Sequence, residues 1–273
     1  MRTRGCPADG TALFSVLTSI IFCSRAKALE LNPHLAAAVH AFQRSCDPSD
    51  DPFEVGQQVY LELTDDEPVT LDAALCEKLN RETMEEYRAR CDQFDAPPGK
   101  YKPDGFHIAM ADGDDILELL ENNASAWLRL TEKMGWGPTA FVGCFVEPWL
   151  GQQNDYPLVL TAHKRLNELG LSDDYSGGII ADGKELQALV WDLFTVVRYN
   201  ASAPYTYLAA QGADTVAMLC KYGNYHLETC GKPGGDKLEQ AFPKAGLDIE
   251  PDGMCHEPFG DDDLLEGRRL DIS

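Results

Sequence analysis

The stretch Pro7-Ala8-Asp9-Gly10-Thr11-Ala12-Leu13-Phe14-Ser15-Val16-Leu17 decides how the rest of the chain is read. A glycine turn feeds directly into an apolar segment, and Asp9 or Thr11 can cap a helix there. Leu13, Val16, Leu17, Ile20 and Ile21 recur at helical spacing, which predicts one buried face over 13–21. The first N–H groups of a helix have no partner within it, and the macrodipole gives that end partial positive charge. A thiol in the first turn would therefore ionise more readily and attack better. The N–H groups of Asp9, Gly10, Thr11 and Ala12 would hold an oxyanion. Position 12 is alanine, so the layout of a thiol hydrolase stands here without its sulfur.

Working outward, a base is needed. Tyr222-Gly-Asn-Tyr-His226-Leu-Glu228 supplies one late in the chain. Residues i and i+2 of a strand share a face and lie about 6.5–7 Å apart, so His226 and Glu228 point the same way. A carboxylate beside an imidazole fixes its tautomer and stabilises imidazolium. Asp9 is a second acid, Asn224 a polar orienter, and His107 an alternative base after a Pro-rich loop. Taken singly, Asp-Gly-Thr at a helix start is a turn and cap, and a histidine on a strand is a structural residue.

These two motifs together resemble the ovarian-tumour (OTU) family of cysteine deubiquitinases. That family's nucleophile motif is Asp-Gly-x-Cys-Leu-Phe with a preceding Pro. Pro7, Asp9, Gly10, Leu13 and Phe14 stand in its places, with Ala12 where the cysteine belongs. Trp136-Gly137 corresponds loosely to the family's mid-chain Trp-Gly. His226-Leu-Glu228 stands for its late His-aromatic-acid, with Leu in the aromatic slot and Glu in the acid slot. Residues 46–130 and 165–215 look like elaborations. The resemblance implies an α/β (α+β) fold with a papain-like core, a small central sheet flanked by helices. It also implies isopeptide cleavage of ubiquitin or a ubiquitin-like protein, with no cofactor. The expected catalytic set is Ala12 (as cysteine), His226, Glu228 and Asp9, with Asn224 and Trp136 as secondary candidates. Ala12 is then either an engineered Cys→Ala replacement, which the intact His226 and Glu228 favour, or the mark of a natural pseudoenzyme that only binds. A catalytically dead or unrelated acidic binding module is the alternative, and a thiol deamidase or transferase a weaker third.

Composition narrows the classes. In 273 residues, 23 Lys and Arg face 45 Asp and Glu, a net charge of −22 with His neutral. That opposes nucleic-acid binding, which needs a basic footprint, and adhesion to anionic membranes. It suits a partner rich in Arg or Lys, such as an arginine-bearing ubiquitin tail. Apolar residues are 44%, enough for a globular core without disulfides. No apolar run reaches the roughly 18 residues of a membrane span. Nine cysteines, at 6, 23, 46, 76, 91, 144, 220, 230 and 255, are odd in number and irregularly placed, which points to a reducing compartment and a cytoplasmic protein, a host's cytosol included. Basic residues 1–4, the apolar run 13–23 and Ala26-Lys-Ala28 imitate a secretory leader, but the turn at 6–10 interrupts it. Cys220, His226, Cys230, Cys255 and His256 could ligate zinc, yet their spacing fits no common finger, so no metal is assigned.

The coarse element reading places a helix opening at Asn32-Pro33 with Leu35, Val39 and Phe42 inward, and a helix with breaks from Thr70 to Cys91. It places a loop over 94–105 and a helix pair at 112–123 and 124–134. Residues 55–63 are strand or helix, and 140–150 is an apolar segment. A strand follows at 157–161, then an amphipathic segment at 186–199 that is either helix, with Leu186, Leu189, Leu193 and Val197 on one face, or ends as a strand. Strands are expected at 205–209, 216–221 and 225–230, with a Gly223-Asn224 turn before the last. The catalytic domain is set at 1–248 and a mobile acidic tail at 249–273.

Overall fold

The computed structural model describes residues 20–60, 67–150, 155–200, 203–256 and 259. Residues 7–17, and with them Asp9, Gly10, Thr11 and Ala12, lie outside the described residues. The described elements run β1 (Ile21–Cys23), α1 (Arg25–Leu29), α2 (Pro33–Ser45), β2 (Gln58–Val59), β3 (Val69–Thr70), α3 (Ala73–Arg90), β4 (Gly105–Met110) and α4 (Ile116–Met134). They continue with β5 (Thr139–Gly143), α5 (Pro157–Glu168), β6 (Gly178–Ala181), α6 (Gly183–Tyr199), β7 (Thr206–Ala210), β8 (Thr215–Leu219), β9 (Tyr225–Thr229), α7 (Lys232–Ala245) and β10 (Asp248–Ile249). Eight strands form one sheet in the order β1-β6-β5-β7-β8-β9-β4-β10, antiparallel throughout. β2 and β3 make a separate two-stranded ribbon. The fold is mixed α/β, as expected, but the sheet is large where a small one was expected.

Side-chain alternation sorts the sheet into two faces. Phe141, Ile179, Leu208, Ala217, Leu219, Tyr225 and Leu227 point to one face and pack with Trp127, Leu166, Phe194 and Phe242 from α4, α5, α6 and α7. Tyr225 stacks on Trp127 (centroids 5.2 Å) and meets Phe194 edge-on (5.0 Å). Ala140, Val142, Ile180, Ala209 and Val216 point the other way, under Leu29, Leu35 and Val39 of α1 and α2. Asn32 fixes this second layer. Its side-chain oxygen accepts from the N–H groups of His34 and Leu35, and its side-chain amide nitrogen donates to the carbonyls of Ala210 and Ala213 (2.8 and 2.9 Å). That is an N-cap and a tie to the β7–β8 hairpin in one residue. Beneath it, Arg25 and Asp92 form a buried ion pair at 2.6 Å, with Gln43 donating to the same carboxylate. α1 and α2 cover β5 to β8 and leave β9, β4 and β10 more open on that face, where Phe106 is 51% exposed.

Several expectations change. Ile21 does not continue a helix: Ile21–Cys23 is a strand paired with β6, because an apolar run of this length satisfies either period and a sheet edge was there to pair with. The expected helix pair is one helix, Ile116–Met134, running straight through Asn123. The expected strand at 157–161 opens α5 instead: Pro157 stands at the first turn, and Val159, Ala162 and Leu166 bury a helical stripe. In 55–63 only Gln58–Val59 is a strand, and residues 61–66 lie outside the described residues. The helix at Pro33–Ser45 and the β7–β8–β9 meander stand where expected, Ala73–Arg90 runs without the expected breaks, and of the two readings of 186–199 the helix is the one seen, as Gly183–Tyr199.

Candidate functional site

The β8–β9 turn is built to hold a shape. Gly223 has φ +87°, a conformation that favours glycine, and a Cβ there would meet Leu119 at 2.9 Å. The Gly223 N–H donates to the Cys220 carbonyl (3.0 Å) and the Cys220 N–H to the Asn224 carbonyl (2.9 Å). From below, the fully buried Asn123 of α4 grips it. The Asn123 amide donates to the Gly223 carbonyl (2.7 Å) and its side-chain oxygen accepts from the Ala111 N–H (2.8 Å). The Tyr225 hydroxyl donates to the Asn123 carbonyl (3.0 Å), and Arg198 donates to the Lys221 carbonyl (3.1 Å). Asn123 is the residue that reads in the sequence as a break between two helices; its polarity is used to fasten the turn instead.

Cys220, Asn224, His226 and Glu228 then project together from the open face. After β10 the chain turns at 250–253 and returns to them. Cys255 Sγ lies 3.2 Å from Cys220 Sγ and 3.0 Å from the Asn224 amide nitrogen, which also donates to the His256 carbonyl (3.1 Å). Donor atoms of Cys220, His226 and Cys255 all lie within 4.8 Å of one another. Cys220 is buried and the other two are half-buried. Two atoms in this cluster, His226 Nε2 and Asn224 Oδ1, are buried with no hydrogen-bond partner. The adjacent Cys220 sulfur and burial push the Cys255 thiol well above its ordinary pKa, which makes it a poor free nucleophile.

Beyond His226, a shallow pocket is lined by Phe106, Tyr207, Met218, His226 and Glu228. Phe106 meets the His226 ring edge-on at 6.0 Å. Burial and the neighbouring Glu228 carboxylate push the Tyr101 and Tyr207 hydroxyls far above their ordinary pKa, so both stay protonated.

Among the expected site residues, the structure brings His226, Glu228 and Asn224 onto one face, as the strand period required. Trp136 packs against the opposite layer, near Trp127, and His107 also faces that layer, beside Phe242. Position 12 lies outside the described residues. Of the five possible zinc ligands, Cys220, His226 and Cys255 converge. Cys230 sits four residues along β9 from His226, and the His256 ring turns away to Asp252 (2.8 Å). The signal that could have joined Cys220 to His226 is the turn at Gly223-Asn224, which places Cys220 opposite Asn224, two positions from His226 on the same face; no local signal brings Cys255 to them.

The fold and cluster thus define a mixed α/β protein with two thiols and an imidazole gathered at one end of an antiparallel sheet. No protein-family model matches the chain, and neither a curated protein nor a solved structure matches it. No described helix is long and apolar enough to cross a membrane.

Proposed function

We propose that the chain is a transition-metal protein whose centre is Cys220, His226 and Cys255, with zinc the ion that suits these donors best. One observation carries this reading: two sulfurs and a ring nitrogen, from segments far apart in sequence, lie within 4.8 Å of one another. Two thiolates and an imidazole are a borderline-soft donor set of the kind zinc takes. Tetrahedral zinc with bonds of about 2.3 Å sets two sulfurs about 3.8 Å apart, a small opening of the 3.2 Å seen. The unpartnered His226 Nε2 adds support, since a buried polar atom without a partner calls for an ion or water. Metal analysis of the purified chain should find one zinc per chain, lost in Cys220→Ser and Cys255→Ser. A metal-free chain that takes up no added zinc, or one lighter by two hydrogens with Cys220 linked to Cys255, defeats the proposal.

A second reading keeps the thiol hydrolase of OTU type acting on ubiquitin conjugates. What favours it is that His226 and Glu228 share a face and both line the pocket, with His226 Nε2 buried and without a partner. It uses His226 as base rather than ligand. Ala12→Cys should then react with a ubiquitin electrophile probe. No adduct, in a chain that holds zinc through His226, removes it.

A further inference from the structure

Resting on the metal reading, we infer that the centre keeps one open coordination position, taken by an exchangeable proton-bearing oxygen ligand, water or an alcohol, that donates a hydrogen bond to Asn224 Oδ1. Zinc sites closed by four protein ligands are structural, whereas three protein ligands leave a place for water or substrate. Among the described residues the cluster offers three donors. His256 is adjacent in sequence but its ring is held by Asp252 at 2.8 Å, while its backbone carbonyl is held by Asn224. Cys230 lies four residues along the strand from His226, about 13 Å away, too far to join.

Asn224 supplies the independent observation. The residue is fully buried, and its amide nitrogen is used by Cys255 Sγ and the His256 carbonyl. Its side-chain oxygen, on the same short amide, has no partner. A buried amide oxygen is an acceptor, so its missing partner is a donor. Both sulfurs and the histidine nitrogen would be turned to the ion, which leaves none of them to supply that hydrogen. A metal-bound water carries two hydrogens and would sit within reach of the amide, which is already 3.0 Å from one ligand sulfur. Cys255 and His226 are half-buried, so the position is reachable from solvent past them. Asn224 is thus a positioning residue for the bound water.

The test uses the full chain with cobalt(II) in place of zinc, which reports coordination by visible absorption, and azide as the competing ligand. Azide should shift the cobalt bands in a saturable titration, and His256→Ala should leave the spectrum and the titration unchanged. Asn224→Leu also removes the hydrogen bond to Cys255 Sγ, so its cobalt–sulfur bands should shift, and its azide midpoint should change as well; an unchanged midpoint in a chain that binds cobalt overturns the role of Asn224. Cobalt bound but blind to azide, or a spectrum lost in His256→Ala, overturns the open position and leaves the metal reading standing. A chain that binds no cobalt sinks both.

Discussion

Neighbouring residues of β9 live in different worlds. Tyr225 and Leu227 are sealed beneath α4, α6 and α7, with aromatic rings on two sides, and neither exposes any surface. His226 and Glu228, one step along the same backbone, face a shallow pocket and a cluster of thiols. The difference teaches that one strand does two jobs by period alone: its even residues are free for chemistry because its odd residues, and the helices on them, hold the strand still.

The sharpest way to break this contrast is to exchange the costs. Leu227→Ala should destabilise by about 2–5 kcal/mol in urea unfolding, since a fully buried leucine leaves a cavity. A cost below about 1 kcal/mol would mean the covered layer is not close-packed at β9. The covered layer also holds an acid. Asp192 on α6 is buried and paired with Arg165, yet burial outweighs the guanidinium and lifts its pKa from 3.8 to about 6. Because the folded value is raised, the stability that this group contributes is full below pH 3.8 and declines as pH rises through about 6. The stability advantage of the native chain over Asp192→Asn should therefore shrink by up to about 3 kcal/mol between pH 4 and 7. A difference independent of pH would show the carboxylate ionised throughout.

Asn123→Ala tests the link between the two faces. It strips the Gly223 carbonyl and the Ala111 N–H of their partners and should cost about 1–3 kcal/mol. It should also weaken metal retention at Cys220, measured by competition with a chelator. Lost stability with metal affinity intact would separate the turn from the site. Smallest of all, Glu228→Gln on the open face should shift stability by no more than about 0.5 kcal/mol. A larger loss would place the pocket within the core.

The meander β7–β8–β9 was legible because Gly223-Asn224 marks its last turn and each strand is short and β-rich. The same-face pairing of His226 and Glu228 followed from the period alone. α5 was hidden because Pro157-Leu-Val-Leu-Thr reads as well for a strand until Ala162 and Leu166 extend the stripe. β1 was hidden because a short apolar run carries no period of its own. The width of the sheet could not be read at all: β4 pairs with β9, over a hundred residues later, and nothing local to Gly105–Met110 states its partner. Cys255 was visible as a sulfur but not as a neighbour, since β10 and the turn after it decide where it lands.

That return path has a mechanical meaning. β10 is two residues long and is the last strand beside β4, with only the Glu250 N–H to the Ile108 carbonyl extending it. The meeting of Cys255 with Cys220 acts as a clasp that holds this short flap in place. β10 pairs β4 only at Ala109 and Met110, so opening the clasp would lengthen the margin of β4 that is free to meet another edge by those two positions and the Ile108 carbonyl.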